Sequence, residues 1–579
     1  MTDALQPYDD GRWSISDHTP PSTDEIWCRG NVGEVFPNVM TPLSFSAYVG
    51  AVARGQANAL HEWGMVTAKQ YEAFRPEQAW STGVFGGYLY GNVTLARTAA
   101  ARSPGLSTSD IDQQMFGLND APPHESGKGE RDLRAATKTA GKMIATLRRP
   151  SDARLSADQA DVAAYVASMP EVSDADDAQL LDIARTLPPW TERMMHHLLA
   201  TSAASGISRS MLERVVAPLG EPGLENRLTA GLGTVESAEP AQDLWRLGRM
   251  VASSSDLTAA FDGGVEDLEP RLRASASASP FVDALAVFTQ RHGARGPDEW
   301  ELASATWGTD PAIAVAMIER LRHAPADRDP IAVGERLAIE RGALAAEARR
   351  ELPAWKRPLF DRALRACIAY APQREATKAA FMRAIYPTRL ALRELARRSG
   401  VAHDDFFLLT LSEVSASTSG DALPEHELAE RRFRRDYLQA RIPPFWFRAT
   451  IPPPSTWPLR DQQTKPDERA RTFEGMGVCA GIATGRARVV TRPDQPGQLG
   501  PGDILVAPIT DPAWTPLFLA AAGVVVDVGA QQSHAAIVSR ELGIPAVVSA
   551  AGASTTIPDG ALVTVDGSSG IVTVHGERA

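Results

Sequence analysis

Between about Ser44 and Leu395 apolar residues recur every three or four positions, the spacing that lays a stripe along one face of a helix. Arg374 to Arg398 is a good instance, with Phe381, Ile385, Leu392 and Leu395 on one side and arginines between them. Pro387 falls inside this pattern and predicts a kink or a divided helix, because proline removes a backbone donor and clashes with the preceding turn. From Gly475 onward the texture changes to short β-branched runs separated by glycine and aspartate: Ala487 to Val490, Ile504 to Ala507, Val524 to Val528, Ala546 to Val548, Leu562 to Val565 and Ile571 to Val574. These predict strands, with at least one helix, Ser533 to Glu541, interposed. The pattern predicts a multidomain chain. A large, mainly α-helical domain spans residues 1–450, a proline-rich hinge spans 451–472, and a small α/β domain spans 473–579. Polar, turn-prone stretches at Asn119 to Asp132 and Pro170 to Asp177 predict exposed loops.

Composition narrows the function. At 579 residues the chain exceeds what one hydrophobic core supports. With 44% hydrophobic and 22% charged residues it has the apolar material to fold. A net charge of -12 disfavours a nucleic-acid surface, which needs clustered Lys and Arg. Cys28, Cys367 and Cys479 are too few for a disulfide framework and too far apart for metal-ligand spacing, so a reducing cytoplasm and no metal site in this chain are expected. The N-terminus has no secretory pattern, and apolar stretches such as Leu519 to Val526 fall far short of the ~20 residues of a membrane helix, so no membrane association is expected.

The candidate chemistry lies in DVGAQQSHAAIVSRELGIPAVVSA, Asp527 to Ala550. A buried strand ends at Asp527 to Gly529, a loop follows, and Ser533 is placed as the N-cap of a helix ending near Gly543. His534 then stands in the first turn, where unpaired N–H groups and the positive end of the helix dipole favour an anion. Its near-neutral pKa leaves a ring nitrogen free to attack phosphorus.

This segment resembles the phosphohistidine swivelling domain of the phosphoenolpyruvate synthase and pyruvate phosphate dikinase group. The likeness rests on SHAAIVSRELGIPAVV, the upstream TDPAWTP from Thr510 to Pro516, and the closing DGALVTVDGSSGIVTV. It implies that His534 carries the phosphoryl group, with Ser533, Gly529 and Thr510 supporting its loop. The loop itself departs from the group's usual glycine pair, having Gly529-Ala530 and Gln531-Gln532.

No nucleotide-binding loop is legible, since Gly127-Lys128 and Gly141-Lys142 lack the upstream glycine and the strand-loop-helix setting. Nor does the helical segment resemble an ATP-grasp module. ATP and Mg2+ are therefore expected at a partner, an ATP-grasp subunit. WCRGNVGEVFPNVMTPLSFS (Trp27 to Ser46), GGYLYGNVTL (Gly86 to Leu95), HGARGPDEWELASATWGTDP (His292 to Pro311) and REATK (Arg374 to Lys378) resemble the acceptor-substrate domain of rifampicin phosphotransferase. Acceptor domain plus swivelling domain is similar to the large subunit of two-component aryl phosphate synthases, which implies phosphorylation of phenol or p-cresol with ATP going to AMP and phosphate. An antibiotic or other alcohol as acceptor, or a protein-to-protein phosphohistidine carrier, are the alternatives.

Arg374 and Lys378, four residues apart, share a helical face, where like charges cost ~0.2 to 0.5 kcal/mol in an isolated helix. The resemblance implies that they line the phosphoryl path. His292 and Glu301 are candidates to take the acceptor's proton, alongside Glu34. Arg295 and Glu299 read either as substrate-binding groups with Glu34 or as a structural ion pair. The adjacent His196 and His197 point to different faces and receive no role.

Overall fold

The computed structural model describes residues 5–19, 24–103, 106–117, 121–124, 132–221, 223–233, 235–265, 268–421, 424–460, 472–493, 495, 497–531 and 533–575. The chain is multidomain and helix-rich, with a small C-terminal α/β domain.

The spine of the helical domain is a pair of long helices, Leu187–Val216 and Arg357–Ser399. They run antiparallel: Cys367 packs among Leu212 and Val216, while Ile385 packs among Leu187 and Met194. Helix Gly50–Trp63 lies on the first of them, and Gly55 permits that approach because a Cβ there would stand 2.3 Å from the Glu192 carbonyl oxygen. Helix Arg357–Ser399 carries Pro372 and Pro387 internally yet is undivided. An internal proline costs about 3 kcal/mol, but here tertiary packing holds the turns on both sides. Pro387 is buried, and just after it the fully buried Arg389 donates to the carbonyls of Glu299 (2.6 Å) and Glu301 (2.8 Å). The same arginine fixes the loop that bears Glu299.

A four-stranded antiparallel sheet, in the order Thr82–Phe85, Tyr88–Asn92, Ile26–Cys28, Trp446–Arg448, is set into this domain. Its strands are three to five residues long, too short to show a period of two in the sequence. The sheet corrects the expected hinge. Ile451 and Trp457 are buried with Trp27, Phe85 and Phe447, and Arg460 N–H donates to the Ala440 carbonyl, so residues 451–460 belong to the helical domain. The rest of the expected hinge, 461–471, lies outside the described residues, as do Gly127-Lys128, Gln532 and much of the loop expected at Asn119 to Asp132.

The C-terminal domain is an eight-stranded sheet in the order Thr472–Glu474, Ile571–Val574, Leu562–Asp566, Ile482–Val489, Ile504–Ala507, Gly523–Val526, Ala546–Val548, Met476–Cys479. Four strands from Ile482–Val489 to Ala546–Val548 are parallel, and the flanks are antiparallel. Three of the parallel strands, Ile504–Ala507, Gly523–Val526 and Ala546–Val548, are apolar throughout because both faces are covered. An apolar cluster continues from Trp307 and Leu321 of the helical domain into Leu517 and Phe518, so the two domains are docked through a dry contact.

Candidate active site

Helix His534–Leu542 begins where Ser533, in extended backbone, accepts a hydrogen bond from the Ala536 N–H, and ends at Gly543 in the left-handed region (φ 63°). His534 is thereby placed in the first turn, only 8% exposed. Both ring nitrogens face hydroxyls: Nε2 is 3.0 Å from Thr515 Oγ1 and Nδ1 is 3.4 Å from Thr510 Oγ1. The Phe518 ring meets the imidazole edge-on. Gly529 brings the preceding loop close, for a Cβ there would stand 3.0 Å from Val548 Cβ and 3.2 Å from Ser533 Oγ. Its carbonyl accepts from Ser549 Oγ.

The His534 backbone N–H donates to Glu34 Oε2 across the domain boundary, at 3.3 Å. Glu34 reaches this point from the 3-10 turn Val32–Glu34 that follows strand Ile26–Cys28. A second contact across the boundary joins the Asp298 N–H to Asp511 Oδ2 at 3.2 Å. Burial pushes the carboxyls of Glu34 and Asp298 up to about 7 and that of Asp511 up to about 6. Burial drives the His534 imidazole the other way, well below its ordinary value, and the charges of Lys378, Arg295 and Arg374 add to the effect. Both influences favour the neutral imidazole.

Behind these groups lies an ion-pair chain. Arg295 Nε donates to Glu299 Oε2 at 2.6 Å, Glu299 Oε1 stands 3.7 Å from Lys378 Nζ, and Arg374 donates to Glu375 Oε1 at 2.8 Å. Burial opposes ionisation of Glu375, but the charges of Arg374 and Lys378 outweigh it and hold its carboxyl low. Arg374 and Lys378 do share one helical face, and carboxylates on both sides offset their repulsion.

His534, Thr510, Asp511, Glu34, Arg374 and Lys378 all line one cavity of about 520 Å³. Its remaining walls are mostly apolar, including Val35, Leu89, Leu198, Ile207 and Trp300. Such a space, apolar with a few convergent polar groups, is the ordinary form of a small-molecule site.

Two candidates fall elsewhere and are corrected. His292 turns away to Asp243, with Nε2 2.8 Å from Oδ2, and packs on Phe288. Glu301 is buried and fully engaged: it accepts from the Thr41 N–H and hydroxyl, the Ser44 hydroxyl and the Ala303 N–H. It fastens the segment after Glu34 to the 299–303 loop and does not line the cavity described above. Arg295 and Glu299 form the buried ion pair and touch the site through Lys378. The sequence reading missed Thr515, Asp298 and Asp511. Thr515 lies within the very stretch that supplied Thr510, at the start of helix Thr515–Ala520, and its position there was the available signal.

The fold and site define a small α/β domain docked on a helical domain, with a buried histidine of the first lining a cavity shared with the second. Residues 499–570 match the model of the PEP-utilising enzyme mobile domain, and residues 193–375 match the rifampicin phosphotransferase fourth domain. Over 575 residues the chain is 29% identical to an uncharacterized protein of Mycobacterium tuberculosis, covering 94% of this chain and 61% of that one. It is 26% identical over 592 residues to the prodigiosin synthesizing transferase PigC of Serratia marcescens, covering 96% and 64%. It is 28% identical over 376 residues to a rifampicin phosphotransferase of Streptomyces sp, covering 62% and 42%. The chain spans about three fifths of the length of the first of these relatives. Among the described residues no helix is long and apolar enough to cross a membrane.

Proposed function

We propose that this chain is a phosphotransferase component that carries a phosphoryl group on His534 and delivers it to the hydroxyl of an apolar compound held in the cavity. The observation that carries the reading is the convergence on one cavity of His534 from the mobile domain with Lys378, Arg374 and Glu34 from the helical domain. In the transfer step the P–N bond to His534 breaks as a P–O bond forms to the acceptor. The hydroxyl proton passes to the Glu34 carboxylate, and His534, whose second ring nitrogen carries a proton in the phosphorylated form, leaves as the neutral imidazole that its surroundings favour. Lys378 and Arg374 offset charge on the three equatorial oxygens.

In this reading the phosphoryl group comes from ATP, bound with magnesium at an ATP-grasp unit that the mobile domain visits in its other position, with AMP and phosphate as products. A subunit separate from this chain suits the resemblance to aryl phosphate synthases. The acceptor is a hydroxyl compound, aromatic by that resemblance. A cavity of about 150 Å³ holds benzene, so phenol or p-cresol leaves much of a 520 Å³ space unfilled, and a bulkier hydroxyl compound suits it better. A relay to a second protein makes no use of a largely apolar cavity of this size.

The test mixes the chain with its ATP-binding unit and ATP labelled in the β-phosphate. Acid-labile, alkali-stable label is expected on the native chain and not on His534→Ala, and is expected to discharge onto bulky aryl alcohols faster than onto p-cresol. Label that no small hydroxyl compound discharges would move the reading to a protein relay.

A further inference from the structure

One wall of the cavity carries a polar group that the transfer chemistry does not use. Gln56, on helix Gly50–Trp63, lines the cavity among Val49, Val52, Leu60, Met195 and Leu199. Its amide is pinned from behind. Gln56 Oε1 accepts from Ser81 Oγ at 2.6 Å and from Thr82 Oγ1 at 3.1 Å, both at the start of strand Thr82–Phe85. In this orientation the carbonyl end faces the two hydroxyls and the NH2 end points away from them. Its NH2 end has no hydrogen-bond partner among the described residues.

Two polar groups near it are already engaged. The Tyr48 hydroxyl donates to the Trp300 carbonyl and Ser103 Oγ donates to the Ala99 carbonyl. Neither competes for a ligand atom. A donor set in an apolar wall discriminates ligands by one polar atom, because a bound ligand lacking that atom leaves the donor unpaired.

We propose that Gln56 is a specificity-determining residue, and that the acceptor is an apolar hydroxyl compound carrying a second oxygen or nitrogen that accepts a hydrogen bond from the Gln56 NH2. The hydroxyl to be phosphorylated lies by His534 and the second polar atom lies on the wall formed by Gly50–Trp63. The proposal rests on the cavity being the acceptor site, and it names the acceptor's chemistry further: a carbonyl, ether or ring nitrogen besides the reacting hydroxyl.

Two probes of nearly equal size test it, 4-benzylphenol and 4-hydroxybenzophenone, which differ in a CH2 against a C=O. Calorimetric titration of the full, unphosphorylated chain is expected to give tighter binding of the ketone by roughly five- to tenfold, the worth of one such hydrogen bond. Gln56→Met, similar in length and without the donor, is expected to remove that preference, so that the two probes bind within about twofold of each other, and a native-like circular dichroism spectrum and thermal transition show that the variant is folded. Equal affinity of the native chain for the two probes, or a ketone preference that survives Gln56→Met, overturns the role of Gln56. Failure of both probes to bind overturns the assignment of the cavity itself, a result distinct from the loss of preference.

Discussion

Two histidines in this molecule are buried to nearly the same degree, His292 at 6% and His534 at 8% exposure, and their surroundings assign them opposite work. His292 closes helix Ser279–His292 and spends its Nε2 on Asp243, whose carboxyl that hydrogen bond holds low. His534 opens a helix, has hydroxyls rather than a carboxylate at its ring, and sits under the charges of Lys378, Arg295 and Arg374. A carboxylate partner fixes an imidazole as a brace, whereas neighbouring cations keep it neutral and prepare the space for an anion. Burial alone separates nothing.

That comparison can be broken most forcefully by exchanging the two roles. His534→Asn is expected to lower phosphate incorporation by more than ~10³-fold with little loss of stability, as expected for a covalent carrier. His292→Gln is expected to keep incorporation intact and to lower stability by about 1 to 3 kcal/mol, the cost of an unpaired buried group. Equal loss of incorporation in both variants would erase the distinction. Next in size, Lys378→Met and Arg374→Met are expected to slow discharge to the acceptor by ~10² to 10³-fold. Because both residues belong to the helical domain, loading of His534 by the ATP-binding unit is expected to stay within about twofold. Single-turnover loading and discharge, measured separately, read the two steps apart.

A smaller effect concerns Glu34. Burial places its carboxyl at about 7, so the proton-accepting form grows as pH rises through that value. Discharge is expected to rise with pH from 6 to 8 in the native chain. In Glu34→Gln it is expected to be ~10²-fold slower and flat over the same range. The smallest effect is on domain docking. Asp298, Asp511 and Glu34 have carboxyls raised to about 7, about 6 and about 7 in the docked state, whereas undocking returns them toward the ordinary value of roughly 4. The docked state therefore holds more protons in that interval. Docking is favoured as pH falls from 8 to 5 and loses that support as pH rises through about 7. Small-angle scattering at pH 5.5 and 8 reads this as a larger radius of gyration at the higher pH.

The same contrast explains what the sequence discloses. The surroundings of His534 are local: Thr510, Thr515, Gly529 and Ser533 lie within 25 residues of it, and strand, loop, cap and helix follow one another in order. The acceptor side is assembled from distant segments. Glu34 reaches the His534 backbone from 500 positions away, and Lys378 meets Glu299 only because Arg389 holds the 299–301 loop against the long helix. Arg374 and Lys378 are legible as a pair on one helical face, but the cavity before them is not. Glu301 shows the converse, a carboxylate in a polar motif that looks chemical and is spent on Thr41 and Ser44. The four-stranded sheet is invisible for a different reason, since its pairing of Ile26–Cys28 with Trp446–Arg448 is set by tertiary contacts rather than by any local period.

The most direct test of the central claim removes the donor from the experiment. The chain is phosphorylated chemically with phosphoramidate, the modified peptide is located by mass spectrometry under alkaline conditions, and 4-hydroxybenzophenone is then added in a single turnover. The account predicts acid-labile phosphate on His534 that leaves the protein and appears on the aryl hydroxyl, with discharge slowed ~10² to 10³-fold by Lys378→Met. Phosphate that settles on His292 or other histidines and not on His534, or that leaves His534 only to water whatever hydroxyl compound is supplied, would contradict it.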